Sequence, residues 1–440
     1  MAIRWLFLAP FVLILGLDVP ASAQTTISVY HRSERAEVEW IQEIKERFEA
    51  ANPDIRVELI QGIGGGGAPY AERLAVLWAS GNPPDVFYGS TDKAGFILNG
   101  WTLDVTPFIE RDREEMGYDD FFPGVFDAAT RQGRNLGVPA IAMGQAIFYN
   151  KRLFDEAGLA YPPVDWNAGG WDWSEFVIAL QRLTQRGDDD RATRVGLASV
   201  HTESFVWMNG GDFFPPEAYV TGIAPRSTLA DEPVVRAFEE IRRLNIELGV
   251  TAVGPRSAVS SGSGFAAGNI AMEWTGWWRV RDYVNADLGF EWGIAPLPRV
   301  MSRANSRVTD PWFISAETKE PEAAWRFVKF VTSREGQESF ARHVAFPPSR
   351  RSALGSYLET VSRDSGMSEA EVLLALSGAI EHSRPAHDEI IGGRSVWNQA
   401  IREETDPAIL RGERPVRAAL EAAQRRVDAN LEELAARWKR

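Results

Sequence analysis

The hydrophobic and polar positions near the start of the chain follow two different periods. Apolar residues recur at helical spacing in segments 41–48 and 70–79. Short runs typical of strands precede and follow these segments, at residues 27–30, 55–60 and 85–88, and polar and apolar residues alternate in the second of them. Strands that alternate with helices predict a mostly parallel β-sheet with helices on its faces, which is an α/β fold.

Ligands of such sheets bind beyond the carboxyl ends of the strands. The loops that follow the three predicted strands are therefore candidate binding segments, at residues 31–32, 62–67 and 89–93. The glycine run at 64–67 lacks the Gly-Lys-Ser/Thr sequence of a phosphate-binding loop. We interpret this run as a loop at the rim of the binding cleft.

The same alternation begins again after residue 135. Segments 137–141 and 146–149 have an extended pattern, and helical spacing follows at 151–157 and 173–186. The chain ends in a helix with a single apolar stripe, formed by Leu420, Ala423, Val427, Leu431 and Leu434. With 440 residues, the chain is long enough for two α/β units.

The first residues have the features of a secretory signal peptide. Arg4 precedes an apolar run over residues 5–17, and the Ala-Ser-Ala sequence at 21–23 matches the pattern that signal peptidase cleaves. Cleavage there would make Gln24 the first residue, and the alternative is an uncleaved N-terminal anchor. The chain contains no cysteine, which excludes lipid attachment through that residue. We therefore expect a periplasmic protein that is not a lipoprotein.

Composition narrows the class of function. The net charge of −14 argues against nucleic acid as a partner, because phosphate binding requires a basic face. The histidines have no metal-ligand spacing, and no Gly-x-Ser-x-Gly sequence marks a hydrolase nucleophile. The sequence predicts no metal and no other cofactor, and it favours a binding protein over an enzyme.

Seven motifs, in order along the chain, resemble those of the family 1 extracellular solute-binding proteins of ABC transporters, the group that includes maltose-binding protein. Two of them are Tyr-Asn-Lys-Arg-Leu-Phe at 149–154 and Phe-Ala-Ala-Gly-Asn-Ile-Ala-Met at 265–272. The others are at residues 80–86, 103–107, 138–139, 162–176 and 322–330. The resemblance covers nearly the whole chain after residue 23. It implies an α/β, two-lobed periplasmic binding protein fold of type II.

The resemblance also implies discontinuous lobes that are joined by a three-crossing hinge and close around a carbohydrate, a mono- or oligosaccharide. The expected first lobe is residues 24–137 plus 299–345, and the expected second lobe is 138–298 plus 346–440. The expected crossings are near 138–143, 295–299 and 344–348. A monomer of this kind would deliver its sugar to the permease subunits of an ABC transporter in the inner membrane.

Sugars present flat C–H faces that stack on aromatic rings, and their hydroxyl groups need fixed donors and acceptors. By resemblance, Trp278 matches a sugar-stacking aromatic residue, with Trp274 and Trp277 as neighbours that would serve or support it. Asp92 and Lys93 match an acid–base pair that holds sugar hydroxyls. Core packing is the alternative for any one tryptophan, and a helix N-cap is the alternative for Asp92. The remaining candidates are Arg32, Gln145, Glu203, Trp207, Trp312, Arg350 and Arg384.

Departures from the family pattern leave the ligand open. Met143 occupies a position where the family has an acidic ligand contact, and Gln145 is the expected substitute. An acidic sugar or a glycerol-phosphate-type solute is the alternative ligand, on the strength of Arg32, Arg279, Arg350 and Arg384, for which surface ion pairs are the other interpretation. A secreted glycoside hydrolase is a further alternative, with a carboxylate pair drawn from Asp85, Asp92, Glu203 and Glu273.

Overall fold

The computed structural model describes residues 24–64, 67–90, 92–262 and 264–438. The predicted signal peptide lies outside these residues. The strands are β1 Thr25–His31, β2 Ile55–Gln61, β3 Val86–Tyr88, β4 Thr130–Arg131, β5 Arg134–Asn135, β6 Val138–Pro139, β7 Gln145–Asn150, β8 Gln185–Arg186, β9 Ala192–Leu197, β10 Ile270–Gly276, β11 Trp292–Ala295, β12 Asn305–Arg307, β13 Pro311–Ile314 and β14 Ser383–Pro385.

The helices account for most of the remaining ordered backbone. They are α1 Arg35–Ala51, α2 Ala68–Ala79, α3 Lys93–Leu98, α4 Thr106–Arg111, α5 Lys151–Glu156, α6 Trp173–Leu183, α7 Thr202–Met208, α8 Pro216–Thr221, α9 Glu232–Arg242, α10 Val280–Val284, α11 Pro321–Val331, α12 Arg334–Val344, α13 Gly355–Ser365, α14 Glu369–Glu381, α15 His387–Ile390, α16 Arg394–Ile409 and α17 Val416–Trp438. Across the described ranges, none of these helices has the length and hydropathy needed to span a bilayer.

The first lobe is built on a five-stranded sheet in the order β2-β1-β3-β13-β6. Strand β1 pairs in parallel with β2 and β3, as the alternating pattern predicted, and β13 joins the sheet antiparallel to β3. Helix α1 covers this sheet with Ile41, Ile44 and Phe48, which are fully buried. The three residues that recur at helical spacing in the sequence therefore form the contact between helix and sheet.

The second lobe is built on another five-stranded sheet, in the order β11-β7-β10-β9-β8. Helix α17 buries the predicted apolar stripe, with Leu420, Ala423 and Val427 fully inaccessible to solvent. Helix α6 is shorter than its predicted range of 173–186. It ends at Leu183 because Thr184 has an extended backbone and the next two residues form β8, which pairs with β9.

Three segments run side by side between the two sheets. The Ala140 amide donates to the Asp310 carbonyl at 3.3 Å, and the Ala142 amide donates to the Pro347 carbonyl at 3.2 Å. Residues 299–307 pack on the second lobe, where the Arg299 amide donates to the Trp171 carbonyl at 3.1 Å. The lobe boundaries stay a prediction, and these contacts would move the second expected crossing from 295–299 to 308–310.

Candidate functional site

A cavity of about 310 Å³ lies between the lobes and is called the cleft cavity below. The first lobe contributes residues that directly follow β1 and β3, as the strand-end rule predicted. The hinge segments and the second lobe supply the rest of the lining. The lining residues are Arg32, Ser90, Lys93, Met143, Gln145, His201, Glu203, Trp278, Arg281, Ser306, Val308, Asp310, Phe346, Ala386, Asp388 and Arg394.

A buried group of opposite charges, which we call the ionic wall, consists of the lining residues Arg32, Lys93 and Asp310 together with Glu37 and Glu389, which do not line the cavity. Lys93 Nζ lies 2.9 Å from Asp310 Oδ1 and contacts Glu389 Oε1. Arg32 Nε donates to Glu37 Oε2 at 2.7 Å, and Arg32 Nη1 lies 3.7 Å from Asp310 Oδ2. Because Lys93 begins α3 of the first lobe and Glu389 lies in α15, which contacts the second lobe through His387, this pair links the two lobes.

The environment of the ionic wall keeps its lysine charged. Burial lowers the pKa of Lys93, but Asp310 and Glu389 raise it by more, so the net pKa shift is upward. A buried cation is stable only when carboxylates and hydrogen bonds surround it. The ammonium group of Lys93 is therefore bound by two carboxylates, and this residue stabilises the structure of the cleft. The carboxyl of its neighbour Asp92 has a pKa raised to about 6, by burial and by the nearby Asp388.

A second part of the lining consists of neutral groups, which we call the tryptophan wall: Gln145, His201 and Trp278. Gln145 Nε2 donates to Ser306 Oγ at 2.9 Å, and its Oε1 accepts from Trp274 Nε1 at 3.0 Å. Burial lowers the pKa of His201, which keeps its imidazole neutral at neutral pH. The ring of Trp278 is half-buried and lines the cavity.

The position of Trp278 depends on the glycine at the end of β10. A Cβ atom on Gly276 would lie 1.8 Å from the Trp278 ring, so a side chain there would displace the indole. Trp277, the next residue along, is fully buried and packs between Phe148 and Tyr357. The turn after β10 therefore directs one tryptophan into the core and the next one into the cleft.

A pair of arginines marks the rim of the cleft cavity. Arg281 in α10 of the second lobe contacts Glu34 Oε2 and lies 3.6 Å from Glu37 Oε1, both in the first lobe. The guanidinium carbons of Arg32 and Arg281 lie 5.5 Å and 5.0 Å from the centre of the Phe346 ring. The contacts of Arg281 with Glu34 and Glu37 therefore join the two lobes.

A charged histidine stands behind the tryptophan wall. His387 Nδ1 lies 2.8 Å from Glu203 Oε1, and its Nε2 lies 2.8 Å from Asp212 Oδ1. Burial lowers the pKa of His387, but the two carboxylates raise it to a net value of about 9. Phe213 stacks on the imidazole with ring centres 4.8 Å apart. Glu203 thus faces the cavity with one oxygen bound to a protonated histidine.

The structure brings part of the predicted site together. Of the candidates, the cleft cavity is lined by Arg32, Lys93, Gln145, Glu203 and Trp278. Asp92 lies immediately before α3 with a φ of 47°, and its carboxyl group packs against Gly95. Trp274 lies in the core and reaches the site only through its hydrogen bond to Gln145.

Five candidates lie away from the cleft cavity. Trp277 belongs to the core, and Trp312 lies in β13 against Trp40 and Tyr88 because its side chain points into the first lobe. Arg350 donates to the carbonyls of residues 116, 117 and 332 and stays inside the first lobe. The other two candidates, Trp207 and Arg384, line a separate cavity of the second lobe. The guanidinium carbon of Arg384 lies 3.8 Å from the centre of the Trp207 ring.

Sequence reasoning did not identify several residues of the site. Asp310 and Glu389 hold Lys93, Arg281 makes contacts between the lobes, and Asp388 pairs with Arg394 at 2.8 Å on the cavity wall. The sequence feature that could have pointed to Asp388 and Glu389 is the run of three ionisable residues at 387–389, two of which are buried in a short helix. Their partners could not be predicted from it.

The comparisons with known proteins agree with this architecture. The sequence profile of the bacterial extracellular solute-binding proteins matches residues 33–338, so the chain belongs to this family. It is 23% identical over 355 residues to a protein of Brucella abortus named as a binding protein, with 76% of this chain and 80% of that protein covered. It is 21% identical over 370 residues to the maltotriose-binding protein of Pyrococcus abyssi, with 81% and 72% covered.

The fold also matches a solved structure, the sugar-binding protein MalE from Xanthomonas citri. The TM-score is 0.74 at 21% identity, with 94% of this chain and 100% of that chain covered. These findings confirm the predicted family and the two-lobed, type II binding protein fold.

Proposed function

We propose that the protein is the substrate-binding component of an ABC transporter that captures a carbohydrate between its lobes and delivers it to membrane permease subunits. The observation that carries the proposal is the cleft cavity, which both lobes line and which combines the half-buried Trp278 ring with hydrogen-bonding groups. An aromatic face and fixed polar groups are what a sugar requires. The names of the P. abyssi and X. citri relatives, which bind maltotriose and sugar, support the same class of ligand.

The charges of the cleft cavity favour a neutral sugar over an acidic one. Among the described residues, each arginine or lysine that lines the cavity has a carboxylate within 4 Å, as the distances for Arg32, Lys93, Arg281 and Arg394 show. An anionic ligand would have to displace one of these carboxylates. The other arginines that suggested an acidic ligand lie elsewhere, with Arg279 paired to Glu273 at 3.1 Å.

Three of the four carboxylates considered for a glycoside hydrolase, Asp85, Glu203 and Glu273, are committed to other contacts. Asp85 accepts hydrogen bonds from the Ser28 amide at 2.8 Å and from Thr318 Oγ1 at 2.6 Å. Glu273 accepts from Tyr283 at 2.7 Å, and Glu203 pairs with His387. A hydrolytic pair needs one carboxyl group to donate a proton and the other to attack or activate water. These contacts support binding without hydrolysis.

The remaining parts of the proposal concern location and closure. We expect an exported, monomeric protein of the periplasm whose first lobe resumes after a crossing at 308–310. The ligand would stabilise the closed arrangement by bridging the ionic wall and the tryptophan wall. A ligand must favour the closed state by about 5.5 kcal/mol to turn a 1:99 ratio into 99:1.

A thermal-shift panel tests the proposal. The purified protein would be heated with neutral mono- and oligosaccharides, sugar alcohols, uronic acids and glycerol phosphates. A ligand at about 100 times its Kd adds about 2.7 kcal/mol to the free energy of unfolding and raises the Tm visibly. We expect a rise with a neutral sugar. A rise with anions alone would select the acidic-sugar alternative, and no rise with any carbohydrate would contradict the proposal.

A further inference from the structure

His387 connects two carboxylates of the second lobe, and one of them lines the cleft cavity. Its Nδ1 lies 2.8 Å from Glu203 Oε1, and its Nε2 lies 2.8 Å from Asp212 Oδ1. The backbone amide of His387 donates to the same Glu203 oxygen at 2.5 Å. Glu203 lines the cleft cavity, whereas Asp212 lies at the separate cavity of Trp207 and Arg384. The position of a cavity-lining carboxylate therefore depends on the histidine behind it.

Only a protonated imidazole satisfies both carboxylates. A neutral imidazole has one N–H donor, so its other nitrogen would present a lone pair to a carboxylate oxygen. Asp212 has further donors that keep it in place, since the Tyr219 hydroxyl donates to its Oδ1 at 2.5 Å and Arg384 contacts its Oδ2. Glu203 Oε1 is held by two groups of His387 itself. Glu203 is therefore the carboxylate that moves when His387 loses its proton.

Aromatic rings and charged groups surround the imidazole, which is buried. The ring centres of Trp207, Phe213 and Phe214 lie between 4.8 and 5.5 Å from that of His387. The charged and titratable groups around it are Glu203, His201, Asp212, Tyr219, Arg384, Asp388 and Arg394. Burial lowers the pKa of His387, but the two carboxylates that it contacts raise it to a net value of about 9. The proton is bound at neutral pH and is lost as pH rises through about 9.

Helix α15, which begins at His387, also reaches the first lobe. Glu389 contacts Lys93 Nζ, and Arg131 Nη2 donates to the Glu389 carbonyl at 2.8 Å. The helix is thus tied to the first lobe through Glu389 and to the second lobe through His387. Loss of the His387 contacts would weaken the link between the lobes and would release Glu203 as well.

We propose that His387 is a positioning residue for sugar binding: its imidazolium form holds Glu203 where the carboxylate accepts a sugar hydroxyl, and loss of the proton releases Glu203 and weakens binding. This inference rests on the proposed function and adds to it a control of affinity by protonation. His387 stands behind Glu203 and does not line the cleft cavity. Its effect on the sugar therefore passes through Glu203 and α15.

Isothermal titration calorimetry from pH 8 to pH 10 tests the positioning role. The probes are glucose, maltose, maltotriose, the dimer of N-acetylglucosamine and the saccharide that raises the Tm most. Burial raises the pKa of Asp92 to about 6 and that of Glu389 to about 7, so both carboxylates are ionised throughout this range. We expect the Kd to rise about tenfold, because only about a tenth of His387 is protonated at pH 10. Near-UV circular dichroism verifies that the protein stays folded.

The variant Asp212→Asn moves the transition without changing a residue that lines the cleft cavity. Loss of this carboxylate lowers the pKa of His387, so the rise in Kd should begin at least about one pH unit lower than in wild type. His387→Gln, which carries no charge, should bind about tenfold more weakly at pH 8 and show no dependence on pH. His382→Gln is the matched control, since His382 stacks on Trp166, and it should keep the wild-type profile.

Nuclear magnetic resonance of histidine labelled with nitrogen-15 gives a second measurement on the wild-type protein. Protonation and sugar binding are linked reciprocally, so a sugar that prefers the imidazolium form also raises the pKa of His387. We expect a rise of at least about one pH unit at saturating sugar. A residue that only supports the fold would keep the same pKa with and without sugar.

The outcomes separate the two proposals. A Kd that is constant from pH 8 to pH 10 overturns the positioning role and leaves the carbohydrate site in the cleft intact. So does a transition that Asp212→Asn leaves in place, or a His387 pKa that saturating sugar does not change. If wild-type protein binds none of the probes at pH 8, both the positioning role and the proposed function are contradicted.

Discussion

The two walls of the cleft use opposite physical means. The ionic wall consists of buried charges that satisfy one another, with Lys93 between Asp310 and Glu389. The tryptophan wall consists of neutral groups, with a half-buried indole and an amide whose hydrogen bonds fix its orientation. We infer that the first wall holds the lobes in register and that the second wall distinguishes one ligand from another.

The largest expected effect is at the ionic wall. Lys93→Ala leaves Asp310 and Glu389 buried without their shared cation, and removal of one partner of a buried ion pair costs about 3–5 kcal/mol. Urea unfolding measures this loss. Lys319→Ala, at an exposed position, should change stability by less than about 0.5 kcal/mol. A Lys93→Ala protein as stable as the control would show that the ionic wall does not support the fold.

The next effect is pH-dependent and arises behind the tryptophan wall. The folded-state pKa of His387, about 9, is above the value of an unfolded histidine. The contribution of His387 to the free energy of unfolding is therefore complete below about pH 6.5. It is lost as pH rises through about 9, and the free energy of unfolding falls by roughly 3 kcal/mol. The free energy of unfolding, measured by urea at several pH values, should show this decline.

The control for the pH experiment is another histidine. His387→Gln should be less stable at pH 6 and should flatten the decline between pH 6.5 and 9. His382→Gln should keep the wild-type slope, because His382 stacks on Trp166 and lies apart from Glu203 and Asp212. A His387→Gln protein with an unchanged slope would contradict the assignment.

Adjacent tryptophans give the sharpest contrast between recognition and packing. Trp278→Ala should weaken sugar binding at least about tenfold and lower the unliganded free energy of unfolding by no more than about 1–2 kcal/mol. Trp277→Ala should do the reverse, with a stability loss of about 3–5 kcal/mol from the cavity it leaves. Calorimetry and urea unfolding measure both quantities. Sugar affinity that survives Trp278→Ala would refute the stacking role.

The smallest effect concerns the ion pair at the rim. A double-mutant cycle of Arg281→Gln and Glu34→Gln should give a coupling in sugar affinity of about 0.5–1 kcal/mol, because the pair joins the lobes but is partly exposed. The control cycle uses Arg334 and Glu338, an ion pair within α12, and should leave affinity unchanged. Equal coupling in both cycles would mean that the rim pair does not contribute to closure.

Local pattern predicted the elements that carry the first lobe's part of the site. The spacing of residues 41–48 gave α1, and the strand-end rule brought Arg32 and Lys93 to the cleft. The pattern could not separate Trp277 from Trp278, because both have the same chemistry and only the turn after Gly276 decides which ring is buried.

The local pattern of the sequence also could not predict contacts between residues that are far apart along the chain. Lys93 and Glu389 are 296 residues apart, and neither position indicates the other. Arg350 was a candidate for the cleft, yet the backbone carbonyls of residues 116 and 117 hold it in the first lobe. Such contacts depend on how the two sheets pack, which local spacing does not determine.

A crystal structure of the protein with the saccharide that raises its Tm most tests the central claim most directly. We predict a sugar ring stacked on Trp278, with hydroxyl groups within hydrogen-bonding distance of both the tryptophan wall and the ionic wall. A saccharide bound outside the cleft cavity, or one that touches a single lobe, would contradict the claim that the two walls recognise the sugar together.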